Sequence, residues 1–122
     1  MATVTHYREL NCWQLSARLR DEFIPITERP RVKRHRRFCD QVEDSTRSAP
    51  ANIAEGFDRS TREFLRYLII ALGSLRESEN HFDEALGRKY LSAEEHVHFR
   101  TLAKRAIRAT EALKAYLESR LK

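Results

Sequence analysis

The sequence predicts an all-α protein with a single domain. Helix breakers are rare, since 122 residues include only three glycines and three prolines. Charged residues make up 34% of the chain, and they are interspersed with apolar residues that recur at helical spacing. Leucine, alanine, arginine and glutamate are frequent, and all four favour helices. A chain of this length builds one hydrophobic core, so we expect residues 1–122 to form one domain.

The first helix is predicted over residues 6–28. Apolar side chains recur there on two stripes with helical spacing: Leu10, Trp13, Ala17 and Ile24 on one, and Cys12, Leu15, Leu19, Phe23 and Ile26 on the other. Pro25 has no N–H to donate, so we expect it to kink or end this helix.

The second helix is predicted over residues 34–56 and ends in the segment SAPANIAEGFD, residues 48–58. Pro50 should bend it and free a backbone carbonyl near Thr46. Gly56 suits the left-handed position just past a helix end. Asn52 and Glu55 share a face, so we predict that they bind unpaired backbone groups at this corner. The alternative is that both act on a ligand, although no nucleophile–base pair lies near them in the sequence.

Two capping boxes predict where the third and fourth helices begin. Ser60 stands three residues before Glu63, and Ser92 stands three residues before Glu95. A serine at the N-cap with a glutamate three residues later satisfies free N–H groups at a helix start. The third helix should run to about residue 88, and the fourth to about residue 121.

The third helix carries an unbroken heptad pattern, which is typical of helices packed side by side. Its positions are Leu65, Leu68, Leu72, Leu75, Glu79, Phe82 and Leu86. The small residues Ala71, Gly73, Ser74 and Ser78 lie off this seam and predict a close helix contact on a second side. Three helices look apolar over a wider arc than one core needs, which indicates a subunit interface or, alternatively, a broad monomeric core. Glu79 is expected beside an arginine or at a subunit contact.

Positive charge is concentrated in residues 28–37, which hold six basic groups and one acid. The candidate phosphate-binding residues are Arg29, Arg31, Lys33, Arg34, Arg36 and Arg37, with Lys104, Arg105 and Arg108 as further candidates. Such clusters attract nucleic acid through sequence-independent phosphate contacts. Only Phe38 adjoins the block, so base stacking is not indicated. The alternative is an ordinary solvated loop.

Neither thiol nor metal chemistry is prominent. Cys12 and Cys39 lack C-x-x-C spacing, so we expect two reduced thiols and a cytoplasmic protein. No apolar run is long enough to cross a membrane. A di-iron bundle needs two Glu-x-x-His pairs and two further glutamates, whereas only Glu95 and His98 have this spacing. We therefore expect no metal, no cofactor and no enzymatic activity.

The segment NIAEGFDRSTREFLRYLIIALGSLRESE, together with the residues before it, resembles the signature of a family of four-helix-bundle proteins encoded by intervening sequences in bacterial 23S ribosomal RNA genes. The residues that carry the resemblance are Ser48, Pro50, Ala51, Asn52, Ile53, Ala54, Glu55 and Gly56, then Ala71, Gly73, Ser74 and Glu77. Leu10, Trp13, Gln14 and Ala17 resemble the family's first helix, and GRKYLSAEE resembles its last connection.

The resemblance implies a left-handed, up-and-down four-helix bundle that assembles into a ring, expected to be a homopentamer, without enzymatic activity. The family is also similar to accessory proteins of diversity-generating retroelements, which bind nucleic acid and associate with a reverse transcriptase. Three departures are visible. Asp44 and Ser45 replace the family's usual Arg-Ala pair, Ala49 replaces an isoleucine, and residues 29–37 are rewritten as the basic block.

Three hypotheses follow from the sequence. The first is a protein-interaction ring with no nucleic-acid partner. The second is an accessory protein that binds RNA or DNA through the basic block. The third is a metal-dependent bundle enzyme. Binding whose salt dependence follows phosphate neutralisation distinguishes the second from the first, and a metal assay tests the third.

Overall fold

The computed structural model describes residues 4–121. A 3-10 turn, Tyr7–Glu9, precedes five helices: α1 (Asn11–Thr27), α2 (Pro30–Lys33), α3 (Arg36–Phe57), α4 (Thr61–Gly87) and α5 (Ala93–Arg120). Residues 4–121 contain no strand, so the all-α prediction is confirmed. The short helix α2 was not predicted, because Pro30 at its first position sits inside a run of cations that reads as a loop.

The four long helices pack around one another in a closed cycle, which we call the bundle. Helix α1 packs against α3 and α5, and α4 packs against the same two helices from the other side. Successive long helices are antiparallel: Ser45 of α3 faces Ser78 of α4, and Ser48 faces Ser74. This arrangement places the α1–α3 and α4–α5 connections at one end of the bundle and the α3–α4 connection at the other.

Local capping fixes two of the helix starts. The Ser60 hydroxyl accepts from the Glu63 amide at 3.2 Å, and Ser92 forms a complete capping box with Glu95. The predicted starts of α4 and α5 are therefore confirmed. The predicted start of the first helix at residue 6 is wrong, because Leu10 is extended (φ −76°, ψ 130°) and separates the 3-10 turn from α1.

Both internal prolines lie within helices. Helix α1 continues two residues past Pro25, and α3 continues past the buried Pro50 to Phe57. The second helix was predicted to continue past Pro50 and to end near residue 56, and this is confirmed because α3 ends at Phe57. Pro50 removes the backbone donor of the Thr46 carbonyl, and the Thr46 hydroxyl donates to the Val42 carbonyl at 2.8 Å, one turn earlier in α3.

The hydrophobic core has two parts stacked along the bundle. Phe23, Phe82 and Phe99 form the centre of one, with ring centroids 4.8 to 5.6 Å apart. Ile53 and Leu68 are fully buried in the other. Aromatic rings in such offset and edge-on arrangements add to the stability supplied by burial alone.

Both cysteines are buried and free. Burial raises the pKa of the Cys12 thiol to about 11 and raises that of Cys39 as well. Both side chains are therefore protonated thiols at neutral pH, which makes them poor nucleophiles and poor metal ligands. Within residues 4–121, none of the helices is sufficiently long and apolar to cross a membrane.

Candidate functional site

Gly56 lies inside α3 and not in a left-handed turn, so that prediction is wrong. Glycine occurs nowhere at positive φ in the described chain. A Cβ atom on residue 56 would stand 2.7 Å from Tyr67 Cβ and 2.8 Å from Phe64 Cδ1. Contacts this short do not occur between real side chains, so the glycine is needed for the close approach of α4. We call residues 55–67 the glycine corner.

Asn52 and Glu55 act differently from what was predicted. The Asn52 amide donates to the Ser48 carbonyl at 2.8 Å and to the Ser48 hydroxyl at 3.0 Å, one turn earlier in α3. The backbone carbonyl at the corner belongs to Glu55 and accepts from Arg59 Nε at 3.2 Å. Arg59 also pairs with the Glu55 carboxylate at 2.8 Å. Glu55 therefore fixes the arginine that satisfies the backbone group.

Serine hydroxyls join α3 to α4 above the glycine corner. Ser74 donates to Ser48 at 2.8 Å, and Ser78 donates to Ser45 at 2.9 Å. Small side chains at these positions let the two helix backbones approach closely. Two signature residues, Asn52 and Ser74, thus meet at Ser48, and their role is to hold α3 against α4.

Gly73 and Glu77 lie on an exposed part of the α4 surface. A Cβ atom on Gly73 would meet nothing within 4 Å, so the predicted close helix contact at this residue does not exist within the described chain. Ile69 and Ile70, one turn earlier, are 55% and 50% exposed. Glu77 stands one turn later and approaches the buried His81, with Oε2 3.4 Å from Nε2. We call this stripe, Ile69 to Glu77, the outer face of α4.

Charged side chains line the edge between α4 and α5. Glu79 is only 18% exposed, with Arg100 Nε at 3.5 Å and Lys104 Nζ at 3.8 Å. The expectation that Glu79 lies beside an arginine is confirmed. Asp83 accepts from Arg100 at 3.0 Å and hydrogen-bonds His96 at 2.8 Å, and both partners lower its pKa.

The Glu-x-x-His spacing in α5 does not bring its two side chains together. Glu95 is bound by Arg29, whereas the His98 ring lies 2.6 Å from the Glu22 carboxylate on α1. Among residues 4–121, no three histidine, cysteine or acidic side chains are grouped as metal ligands would be. Glu95 and His98 instead pair with residues of other parts of the chain, Arg29 just before α2 and Glu22 of α1.

Two of the six predicted phosphate-binding residues, Arg29 and Arg31, join the α1–α3 connection to the α4–α5 connection. Arg29 forms a two-pronged ion pair with Glu95 and donates to the Tyr90 carbonyl at 3.0 Å. Arg31 donates to the carbonyls of Lys89 and Arg88 at 3.3 and 3.2 Å. The Arg29 guanidinium, followed by the Ser92 amide, lowers the pKa of Glu95 to about 2.

The other four predicted residues, Lys33, Arg34, Arg36 and Arg37, are exposed. None of them forms an ion pair or a side-chain hydrogen bond within the described chain. The hydrogen bonds from Arg31 to the carbonyls of residues 88 and 89 join the segment that contains these four cations to a second cationic pair, Arg88 and Lys89. We call residues 28–37 and 88–92 the basic end. The sequence did not reveal the second segment, because about fifty positions separate it from the first.

The further cations predicted on the last helix do not join the basic end. Lys104 approaches Glu79 at 3.8 Å. Arg105 and Arg108 are exposed on the middle of α5, and Arg105 borders a shallow groove with Arg18 and Gln14 of α1. These residues are separated from residues 33–37 by at least two turns of helix.

The sequence matches a known protein family. A family model described as 23S rRNA-intervening sequence protein matches residues 8–112, which is most of the chain and includes every signature residue named above. No curated protein matches the sequence significantly.

Proposed function

The chain belongs to the 23S rRNA-intervening sequence protein family, and from that premise we propose that it is the subunit of a non-enzymatic, ring-shaped scaffold. In this proposal each subunit is a left-handed four-helix bundle, and five copies form the ring. The ring serves as a platform for protein interactions. The likeness to retroelement accessory proteins stays a prediction.

The observation that carries this proposal is Gly73 on the outer face of α4. An exposed glycine in the middle of a helix costs roughly 0.5–1 kcal/mol relative to alanine, and nothing within 4 Å in the chain requires it. Two half-exposed isoleucines, Ile69 and Ile70, stand one turn away. A helix of a second subunit that packs on this stripe explains both features, because it would bury the isoleucines and would need the space that a Cβ atom occupies.

A second apolar surface makes a closed ring geometrically reasonable. Ile24 of α1 is 44% exposed and borders a groove of about 460 Å³ between α1 and α3, with Glu43 and Arg47 on its rim. Helices α1 and α4 lie on opposite sides of the bundle, separated by α3 and α5. Contact between two different surfaces is heterologous, and heterologous contacts generate rings when the rotation closes.

The test is the solution mass of the protein by light scattering. A pentamer of 14.4 kDa chains has a mass of about 72 kDa. Gly73→Leu should weaken self-association at least about fivefold, since overpacking a tight contact costs roughly 1–3 kcal/mol and 1.4 kcal/mol is a factor of ten. The matched control is Gly87→Leu, because Gly87 also faces open space but ends α4, away from the stripe.

The outcomes separate clearly. A wild-type mass near 14.4 kDa at micromolar concentration overturns the scaffold. An equal decrease of oligomer mass in the Gly73 and Gly87 variants would mean that the interface does not lie on the outer face of α4. Circular dichroism of each variant shows whether its helices are intact, which is expected because a Cβ atom on either glycine would meet nothing within 4 Å in the described chain.

A further inference from the structure

We propose that the basic end binds the sugar–phosphate backbone of nucleic acid, through Lys33, Arg34, Arg36, Arg37 and Lys89 of each subunit. This contact does not depend on the base sequence of the nucleic acid. Arg29 and Arg31 are positioning residues that hold the α4–α5 connection, and with it Lys89, beside the other four cations. This inference goes beyond the scaffold, since it does not depend on how many subunits assemble.

The basic end carries more positive charge than its ion pairs neutralise. Residues 28–37 and 84–95 together contain eight basic and four acidic side chains, which leaves a net charge of +4. Arg88 pairs with Glu84 at 2.8 Å, and Arg29 pairs with Glu95. The five proposed contact residues have no ionic partner in the described chain. Concentrated, unpaired positive charge of this kind is the electrostatic footprint of a phosphate-binding surface.

Lys89 provides an independent indication. It adopts φ 63°, the left-handed conformation, just past the end of α4. Glycine is strongly preferred there, and a side chain is penalised. The Lys89 amide donates to the Leu86 carbonyl at 3.0 Å, and its own carbonyl accepts from Arg31. The fold therefore holds a lysine where glycine would serve the backbone better, so the cation itself has a use.

The composition favours phosphate over bases as the target. Three of the five contact residues are arginines, whose planar groups match phosphate oxygens with two parallel hydrogen bonds. Base stacking would need exposed aromatic rings. The nearby rings of His35 and Tyr90 are half-buried and hydrogen-bonded to each other, with His35 Nδ1 3.0 Å from the Tyr90 hydroxyl oxygen. Affinity should therefore depend on salt and hardly on sequence.

Fluorescence anisotropy tests this with the whole protein at several salt concentrations. The probes are an oligouridine, a mixed-sequence single-stranded DNA, and RNA and DNA duplexes. Each phosphate contact should contribute about 0.7 to the slope of log K against log salt for single strands, and about 0.9 for duplexes. Arg36→Ser with Arg37→Ser should lower that slope by about 1.4–1.8. Comparison of the four probes shows which backbone is preferred.

Lys89→Gly is the more specific variant. It should lower the slope by about 0.7–0.9, while the thermal midpoint stays the same or rises, because glycine suits the backbone at this position. A lower midpoint with unchanged binding would mean that the lysine serves the fold alone. That result overturns the argument from Lys89.

The matched control is Arg105→Ser with Arg108→Ser, which removes the same charge from the middle of α5. An equal loss of affinity in both double variants would indicate general attraction to a basic protein and would overturn the proposed surface. Absence of wild-type binding to all four probes at low salt does so too, as does equally tight binding of polyglutamate or anionic vesicles. Light scattering on the same samples reports the ring separately, so failure of either proposal is recognisable.

Discussion

The two ends of the bundle use their unusual residues in opposite ways. At the glycine corner every special residue has a partner: Gly56 makes room for Tyr67, and Arg59 pairs with both Glu55 and Glu63. At the basic end Lys89 holds a conformation that glycine prefers, and four neighbouring cations face solvent unpaired. The comparison separates residues that the fold explains from residues that it does not. Only the second kind points to a partner.

The largest effect is expected at the glycine corner. Gly56→Val should destabilise the protein by about 3 kcal/mol, at the upper end for overpacking, because its Cβ alone would overlap Tyr67 and Phe64. Urea denaturation of the variant and the wild type measures this. An unchanged midpoint would show that α3 and α4 can separate at little cost, and the contrast between the two ends would disappear.

An intermediate effect on stability is expected when the pH is lowered, and it arises at the basic end. The pKa of Glu95 is about 2 in the folded protein against an ordinary 4.5, so its pairing with Arg29 stabilises the fold above pH 4.5. This contribution is lost as the pH falls from 4.5 towards 2. The side chain is 32% exposed, so we expect about 0.5–1 kcal/mol.

Denaturant midpoints measured across this pH range check the prediction, with Glu95→Gln as the control. The wild type should lose stability relative to the variant as the pH falls. Parallel curves would contradict the role assigned to Arg29 and would leave it free to bind phosphate with its neighbours.

The smallest effect on stability is expected from the unpaired cations. Arg36→Ser with Arg37→Ser should change the free energy of unfolding by no more than about 0.5 kcal/mol, as for most surface substitutions. A larger loss would mean that the two arginines support the start of α3. In that case the difference between the two ends of the bundle would be one of degree only.

Much of the helical architecture was predictable because its signals are local. Ser60 and Ser92 mark helix starts through hydrogen bonds to amides three residues away, so a short window of sequence contains both partners. Exposure of Lys33, Arg34, Arg36 and Arg37 was predictable for a related reason, since few elements can bury so many like charges. The 3-10 turn was missed because residues 6–10 continue the helical apolar spacing although Leu10 is extended.

Tertiary structure decided what the special residues do. A glycine near a helix end suits either a left-handed turn or a close contact, and only the position of Tyr67 shows that Gly56 serves the contact. The exposure of Gly73 depends on which side of α4 the neighbouring helices occupy. In the sequence Arg31 does not differ from the other five cations, and only its hydrogen bonds to the carbonyls of residues 88 and 89 show that it joins the two connections. The sequence alone determined the helices and the charge. Contacts between residues distant in the sequence determined which glycine the fold needs and which cations remain unpaired, because such contacts exist only once the chain is packed.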